Sequence, residues 1–459
     1  MLSRLIVAAS LAVGILAAIP SQPTYLTYTS NTTSNNITYV KNSGQCETTP
    51  GVNSYSGYVN IGSFRYFFWF FEARKNAATA PFATWVNGGP GCSSLIGLFQ
   101  ENGPCTVNAQ GKTELNPYSW SNTVNMIYID QPAQTGFSTG PTTVNSTNAT
   151  AQPIWEFFQL FFESGEFGKY SSRQFALSSE SYGGHYIPAW ATYFAQQNAL
   201  IKSGKLKGTT IHLETILINN AWIDPYYAYE SYIEYAYYGA KRFINSTTLQ
   251  QQRKAYYAPG GCGPQIQQCY KTRTNKDCSD ADDYCAENVE SIIPSSVDLN
   301  YVLAPANDPF PSQSFIRYLN TASVQRAIGV TPHTSYTFCS DAAGAPFGPT
   351  GDDARSFAPQ LKALILSGMR ITLWAGLVDA NCNGIGMLNS VLAMNITGFA
   401  AAPYENLTYA SNGTVYGQVR EVGNFSMAFI AGAGHEVSAY RPQAALEVFQ
   451  KTMAGKALA

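Results

Sequence analysis

The chain predicts an α/β fold: a central, mostly parallel sheet flanked by helices, with a cap inserted late in the chain. Three observations carry this. The nearly continuous apolar runs "VNMIYID" (Val124–Asp130) and "TILINN" (Thr215–Asn220) have the pattern of strands buried on both faces. Between them "YIPAWATYFAQQNALIK" has helical spacing, with apolar Ile187, Trp190, Tyr193, Phe194, Leu200 and Ile201. A Tyr-rich, then Cys-rich tract from about Trp222 to Phe338 then breaks the strand–helix alternation.

The chain opens with "MLSRLIVAASLAVGILAAIPSQPT". One Arg precedes an apolar run ending near Ala18, small residues follow, and Pro20 closes it. That is the layout of a secretory signal peptide cleaved near Ala17 or Ala18. The run is shorter than the roughly 20 residues a membrane span needs, so no anchor is expected. Tyr55–Glu72 reads as antiparallel strands with a turn near Ile61–Ser63. Phe82–Asn87 is a short strand running into "GGPG", and "SSRQFALSSES" supplies another strand ending near Ser178. After the cap, sheet-like runs resume only near Arg370, with "RITLWAGLVD" and "FSMAFIAGAGH". The expected organisation is a signal peptide at 1–18, core at 19–221, cap insertion at 222–338 and core again at 339–459.

Of 459 residues, 45% are hydrophobic and only 12% charged, and the net charge is −2. A globular chain follows, and the lack of basic runs argues against a nucleic-acid partner. Nine Asn-x-Ser/Thr sequons stand at Asn31, Asn36, Asn145, Asn148, Asn245, Asn395, Asn406, Asn412 and Asn424. They suggest a surface solubilised by N-linked glycans. Their clustering marks Asn31–Thr38, Asn145–Thr150 and Asn395–Ser426 as largely exposed. Nine cysteines leave at least one unpaired within the chain. The compact set at 262, 269, 278 and 285 fits nested pairs, Cys262–Cys285 and Cys269–Cys278, stapling the cap. Zinc is the rival, but this set has neither a Cys-x-x-Cys pair nor a nearby His. No metal or cofactor is expected.

Nucleophilic attack by a hydroxyl needs a base, a carboxylate to orient it, and donors for the oxyanion. Only four histidines exist. His212 sits in an extended segment and His333 in a loop of the insertion. His185 lies in the first turn of the helix after Ser181, facing away as a packing or capping residue. His435 follows an apolar strand, where a base belongs. Ser181, Asp379 and His435 each fall just past the carboxyl end of an apolar run, where sites of open α/β sheets form. Their order, Ser…Asp…His, is that of α/β-hydrolases. The sharp turn wants small residues two before and two after the nucleophile. Gly183 meets one demand, and Ser179 meets the other at some cost in strain.

The blocks "TWVNGGPGCSSLIGLFQENGP", "NPYSWSNTVNMIYIDQPAQTGFS", "SESYGGHYIP", "NNAWIDP" and "GHEVSAYRPQAAL" resemble, in order, the signature blocks of the serine carboxypeptidase family. The resemblance implies an α/β-hydrolase fold with a cap. It implies removal of single residues from peptide C-termini at acidic pH. It makes Ser181 the nucleophile, Asp379 the orienting acid and His435 the base, with the N–H groups of Gly89 and Tyr182 as the oxyanion hole. Trp85, Asn87, Gly88, Glu101 and Glu180 would receive the substrate's free carboxylate, with at least one Glu protonated. Two carboxyls this close titrate as a pair. It pairs Cys92 with Cys339 and leaves Cys382 as a free thiol near the site. Cys46 with Cys105 is what then remains.

Four positions depart from the family pattern: Ser179 for glycine, Leu377 for an acid, and Glu436 and Ser438 for Met and Pro. Glu436 is expected to touch the leaving-residue pocket and favour basic residues there. An acyltransferase or esterase using the same triad is the rival enzyme, and a non-catalytic binding protein would lack a triad member. Destination, secreted or vacuolar, is open.

Overall fold

The computed structural model describes residues 23–459, so the signal-peptide reading lies outside the described residues. Twelve strands form one sheet: β1 (Tyr25–Thr29), β2 (Asn36–Lys41), β3 (Ser54–Ile61), β4 (Phe64–Phe71), β5 (Phe82–Val86), β6 (Asn125–Ile129), β7 (Phe175–Glu180), β8 (Leu213–Asn219), β9 (Arg370–Gly376), β10 (Glu405–Thr408), β11 (Val415–Val422) and β12 (Phe425–Ile430). Their order across the sheet is β1-β2-β3-β4-β6-β5-β7-β8-β9-β12-β11-β10. The six strands from β6 to β12 in that order run parallel. Antiparallel strands extend both flanks. The parallel centre is the mostly parallel α/β sheet expected from the apolar runs.

The hairpin β3–β4 turns through Gly62 at φ 56°, a conformation a two-residue loop demands and glycine supplies without strain. Helix α1 (Thr147–Glu163) packs an aromatic face onto the sheet: Phe157, Phe158, Phe161 and Phe162 meet Phe68, Phe70, Phe82 and Phe175. Each such ring buries well over 100 Å², so this face contributes strongly to the core. Helix α2 (Gly183–Lys202) follows the β7 turn and packs beside α1.

After β8 the chain leaves the sheet through α3 (Pro225–Tyr238), α4 (Ser246–Tyr257), α5 (Cys262–Thr272) and α6 (Asn275–Asn288). Cys262–Cys285 and Cys269–Cys278 nest between α5 and α6. The other bonds are Cys46–Cys105 and Cys92–Cys339, and Cys382 is free.

Two details differ from the sequence reading. The strand before Ser181 runs on to Glu180, because Ser178–Glu180 pair with β8. Extended pairing also occurs before Arg370, in a small ribbon of Val297–Asp298 and Tyr301–Pro305. Within the largely exposed sequon-bearing segments, some residues are nonetheless buried. Ile37, Leu407 and Val419 are fully buried, because β2, β10 and β11 alternate inward apolar residues with outward polar ones.

Candidate active site

Ser181 stands between β7 and α2 with φ 60°, a left-handed conformation that is costly for a residue with a Cβ. Three backbone bonds hold it: Ser181 N–H donates to Asn219 O (3.0 Å), and Ser181 O accepts from Gly184 (2.9 Å) and Trp222 (2.9 Å). Ser179, by contrast, is regular strand, with its hydroxyl donating to Val86 O at 2.6 Å. A Cβ on Gly183 would collide with that hydroxyl. The strain expected at Ser179 is therefore absent there; it sits at Ser181, and Gly183 supplies the room Ser179 needs.

Asp379 follows β9 and is fully buried. Its Oδ2 accepts from His435 Nδ1 (2.7 Å), Asn220 Nδ2 (2.6 Å) and the N–H of Cys382 (3.3 Å), and Oδ1 accepts from Asn381 N–H (2.8 Å). A proton fixed on Nδ1 leaves Nε2 as the basic nitrogen. Burial works against a charged His435, yet Asp379, Glu180 and Glu436 together hold its pKa above the ordinary imidazole value. Cys382 Sγ lies 3.8 Å from Ser181 Oγ, and burial raises the thiol pKa, keeping it un-ionised. His185 is buried against Tyr182 and Phe357 and pushed down to about 3 by burial, a neutral packing residue. His212 and His333 are exposed.

Gly88 and Gly89 bring their loop against this turn. A Cβ on Gly88 would sit 2.5 Å from Tyr182 N and 2.9 Å from Ser181 Cβ. Gly89 has φ 113°, which only glycine adopts freely. Among the described residues, the N–H groups of Gly89 and Tyr182 have no protein acceptor. The loop is stapled by Cys92–Cys339 and by backbone bonds from Ser93 to Phe338 (2.7 Å) and from Ser340 to Gly91 (2.9 Å).

Beside the serine lies a buried carboxyl cluster. Asn87 Oδ1 accepts from Trp85 Nε1 (2.8 Å) and Gly97 N–H (3.1 Å), while its Nδ2 donates to Glu180 Oε1 (2.6 Å). Glu180 Oε2 accepts from Asn219 Nδ2 (3.2 Å). Both Glu101 oxygens are buried without a hydrogen-bond donor. Burial, then Glu180 and Glu436, push the Glu101 carboxyl well above its usual range. Glu180 is pushed up to about 7, first by burial; His435 opposes the shift and Glu436 adds to it. Burial also raises Glu436, whose Oε1 accepts from Asn300 Nδ2 at 3.3 Å. A buried carboxyl without donors is stable only when it keeps its proton. Leu377 is exposed, and Ser438 is buried with its hydroxyl unpaired.

Sequence reading assigned no part to Asn219, Asn220 or Asn300. Asn220 orients Asp379, Asn219 holds Glu180 and the His435 carbonyl (2.7 Å), and Asn300 O accepts the His435 N–H (2.8 Å). The two Asn of "NNAWIDP" were visible, but nothing local shows which groups they reach.

This geometry meets its relatives in comparison. A sequence model described as serine carboxypeptidase matches residues 44–455. The chain belongs to the serine carboxypeptidase family. It is therefore a serine-type carboxypeptidase, a hydrolase. Carboxypeptidase S1 of Penicillium janthinellum is 43% identical, over 91% of this chain and 99% of that one. Carboxypeptidase S1 homolog A of Arthroderma otae is 36% identical, over 92% and 76%. The crystal structure of Kex1(delta)p, a prohormone-processing carboxypeptidase of Saccharomyces cerevisiae, superposes with a TM-score of 0.73 at 21% identity, covering 87% of this chain and 91% of that one; this bears on the fold alone.

Proposed function

We propose that this carboxypeptidase removes single residues from peptide C-termini at acidic pH through an acyl-enzyme on Ser181. The carrying observation is the Asn87–Glu180–Glu101 cluster beside the serine, a receptor for a free carboxylate that needs protons to work. Ser181 Oγ attacks the carbonyl of the last peptide bond, and His435 Nε2 takes its proton. Asp379 holds the ring, and the N–H groups of Gly89 and Tyr182 receive the oxyanion. The tetrahedral intermediate collapses as His435 returns the proton to the leaving amine. Water, deprotonated by the same ring, then frees the acyl group.

Asn87 Nδ2 and the protonated glutamates donate to the substrate carboxylate, with Gly88 leaving room and Trp85 walling the pocket. Glu436, close enough to raise both glutamates, gives the leaving-residue side a third carboxyl and favours basic residues there. The segment 222–338 acts as the cap.

Passage through the secretory pathway, to the exterior or a vacuole, fits the leader at 1–18 and four disulfides. It also fits N-linked glycans: Asn31, Asn145, Asn148, Asn245, Asn395, Asn406, Asn412 and Asn424 are exposed and Asn36 is half-buried. Among the described residues no helix is long and apolar enough to cross a membrane. Incubation with a peptide mixture at pH about 5, with products read by mass, tests the reaction. Stepwise shortening from the C-terminus is expected; release of acids from esters alone, with peptides intact, would reject it.

A further inference from the structure

We propose that Asp352 is a positioning residue for the nucleophile turn, holding the Tyr182 side chain so that the Tyr182 N–H stays aimed at the oxyanion. The proposal rests on the assignment of that N–H as an oxyanion donor.

Asp352 lies 170 residues beyond Tyr182, in the segment that returns from the cap to the sheet. It is 1% exposed. Its Oδ2 accepts three hydrogen bonds: from Tyr182 OH (2.5 Å), Thr147 Oγ1 (2.5 Å) and Thr147 N–H (2.9 Å). The Thr147 bonds suffice to cap the start of α1. The third donor ties the same oxygen to the residue after the nucleophile. Burial raises the Asp352 carboxyl, and the bonds from Thr147 and Tyr182 oppose the shift.

The Tyr182 ring is closed in by His185, Tyr186 and Phe347, with centroids 4.6, 5.1 and 6.2 Å away. A ring confined at its sides and bonded at its tip leaves its own backbone little freedom. That matters because Ser181, one residue earlier, is left-handed and must be held from outside.

The following residues repeat the attachment along the next loop. Asp353 O accepts from Trp222 Nε1 (3.1 Å), and Trp222 N–H donates to the Ser181 carbonyl (2.9 Å). Phe357 N–H donates to Ile223 O (3.0 Å), and Ser356 Oγ donates to Asp224 Oδ2 (2.8 Å). The segment 352–357 thus braces two of the residues that border Ser181, Tyr182 and Trp222.

The test uses the full-length protein with Asp352→Ala, Asp352→Asn, Tyr182→Phe and the Asp352→Ala/Tyr182→Phe pair. A misplaced oxyanion donor costs up to about 100-fold in rate. Both single losses of the bond are expected to lower kcat by up to that factor, with KM within about twofold. Affinity for a peptide aldehyde, which forms the oxyanion, should fall in parallel, while affinity for an N-acyl amino acid stays constant. The double variant should lose no more than either single one. Asp352→Asn, which keeps an acceptor oxygen, should recover most of the rate.

An unchanged kcat and aldehyde affinity, a loss confined to KM, or losses that multiply would each overturn the proposal. If Asp352→Ala does not fold, Tyr182→Phe, which keeps the ring, decides by the same readouts. Labelling of the unaltered protein by an organophosphonate separates the two layers. No labelling at Ser181 rejects the triad assignment itself; normal labelling with unaffected variants rejects only the role of Asp352.

Discussion

Asn87 donates to Glu180 across 2.6 Å, and this contact ties the glycine loop to the residue just before Ser181. Trp85 and Gly97 fix the amide oxygen of Asn87, so its nitrogen faces Glu180 with one N–H to spare. The proposed carboxylate receptor would therefore draw on the glycine loop and the end of β7, which also border the proposed oxyanion site.

The receptor should lose its grip as pH rises. Glu180, pushed up to about 7, sheds its proton near neutrality and then repels a substrate carboxylate. KM for a peptide should rise between pH 6 and 8, while hydrolysis of an ester lacking the carboxylate falls less. Glu180→Gln and Glu101→Gln keep a donor at every pH and should flatten the peptide profile. Parallel profiles for the two substrate types would reject this.

Stability should carry the same signature. A glutamate ionises near 4.5 unfolded, so Glu180 binds its proton more tightly in the folded chain. That contribution is complete below about 4.5 and is lost as pH rises through about 7. Glu180→Gln removes it, so its unfolding free energy relative to the unaltered chain should improve from pH 5 to 8, by up to roughly 3 kcal/mol. Denaturant melts at the two pH values measure the change; no difference between them contradicts it.

Ser179 and Gly183 should behave as a coupled pair. Ser179→Gly removes the bond to Val86 and costs about 1–2 kcal/mol with kcat little changed. Gly183→Ala drives a methyl into Ser179 Oγ and should cost about 1–3 kcal/mol and depress kcat. Combining them should restore part of both losses. A strictly additive double variant would show that the two side chains do not compete for space.

Glu436 should steer the choice of leaving residue. Replacing it with Met is expected to lower kcat/KM for a C-terminal Lys about 10-fold relative to Leu, the effect of roughly one lost charge contact. An unchanged Lys/Leu ratio rules out the steering.

The sequence by itself determined the elements whose signal is local. Buried strands such as Asn125–Ile129 announce themselves by apolar continuity, and the turn at Gly62 by its glycine. The motif blocks held Ser181, His435 and the glycine loop, and the end of the apolar run "RITLWAGLVD" held Asp379. Edge strands such as β1 and β10 were not legible, since a strand with one face in solvent carries few apolar residues.

Tertiary structure alone decided where the strain sits and which groups meet. Ser179 looked like the strained position until its hydroxyl found Val86 and the missing side chain of Gly183. Asn220 and Asp379 are separated by 159 residues, and Tyr182 and Asp352 by 170. A hydrogen bond depends on distance and angle in space, and no pattern within one stretch of chain encodes a partner that the fold brings from another.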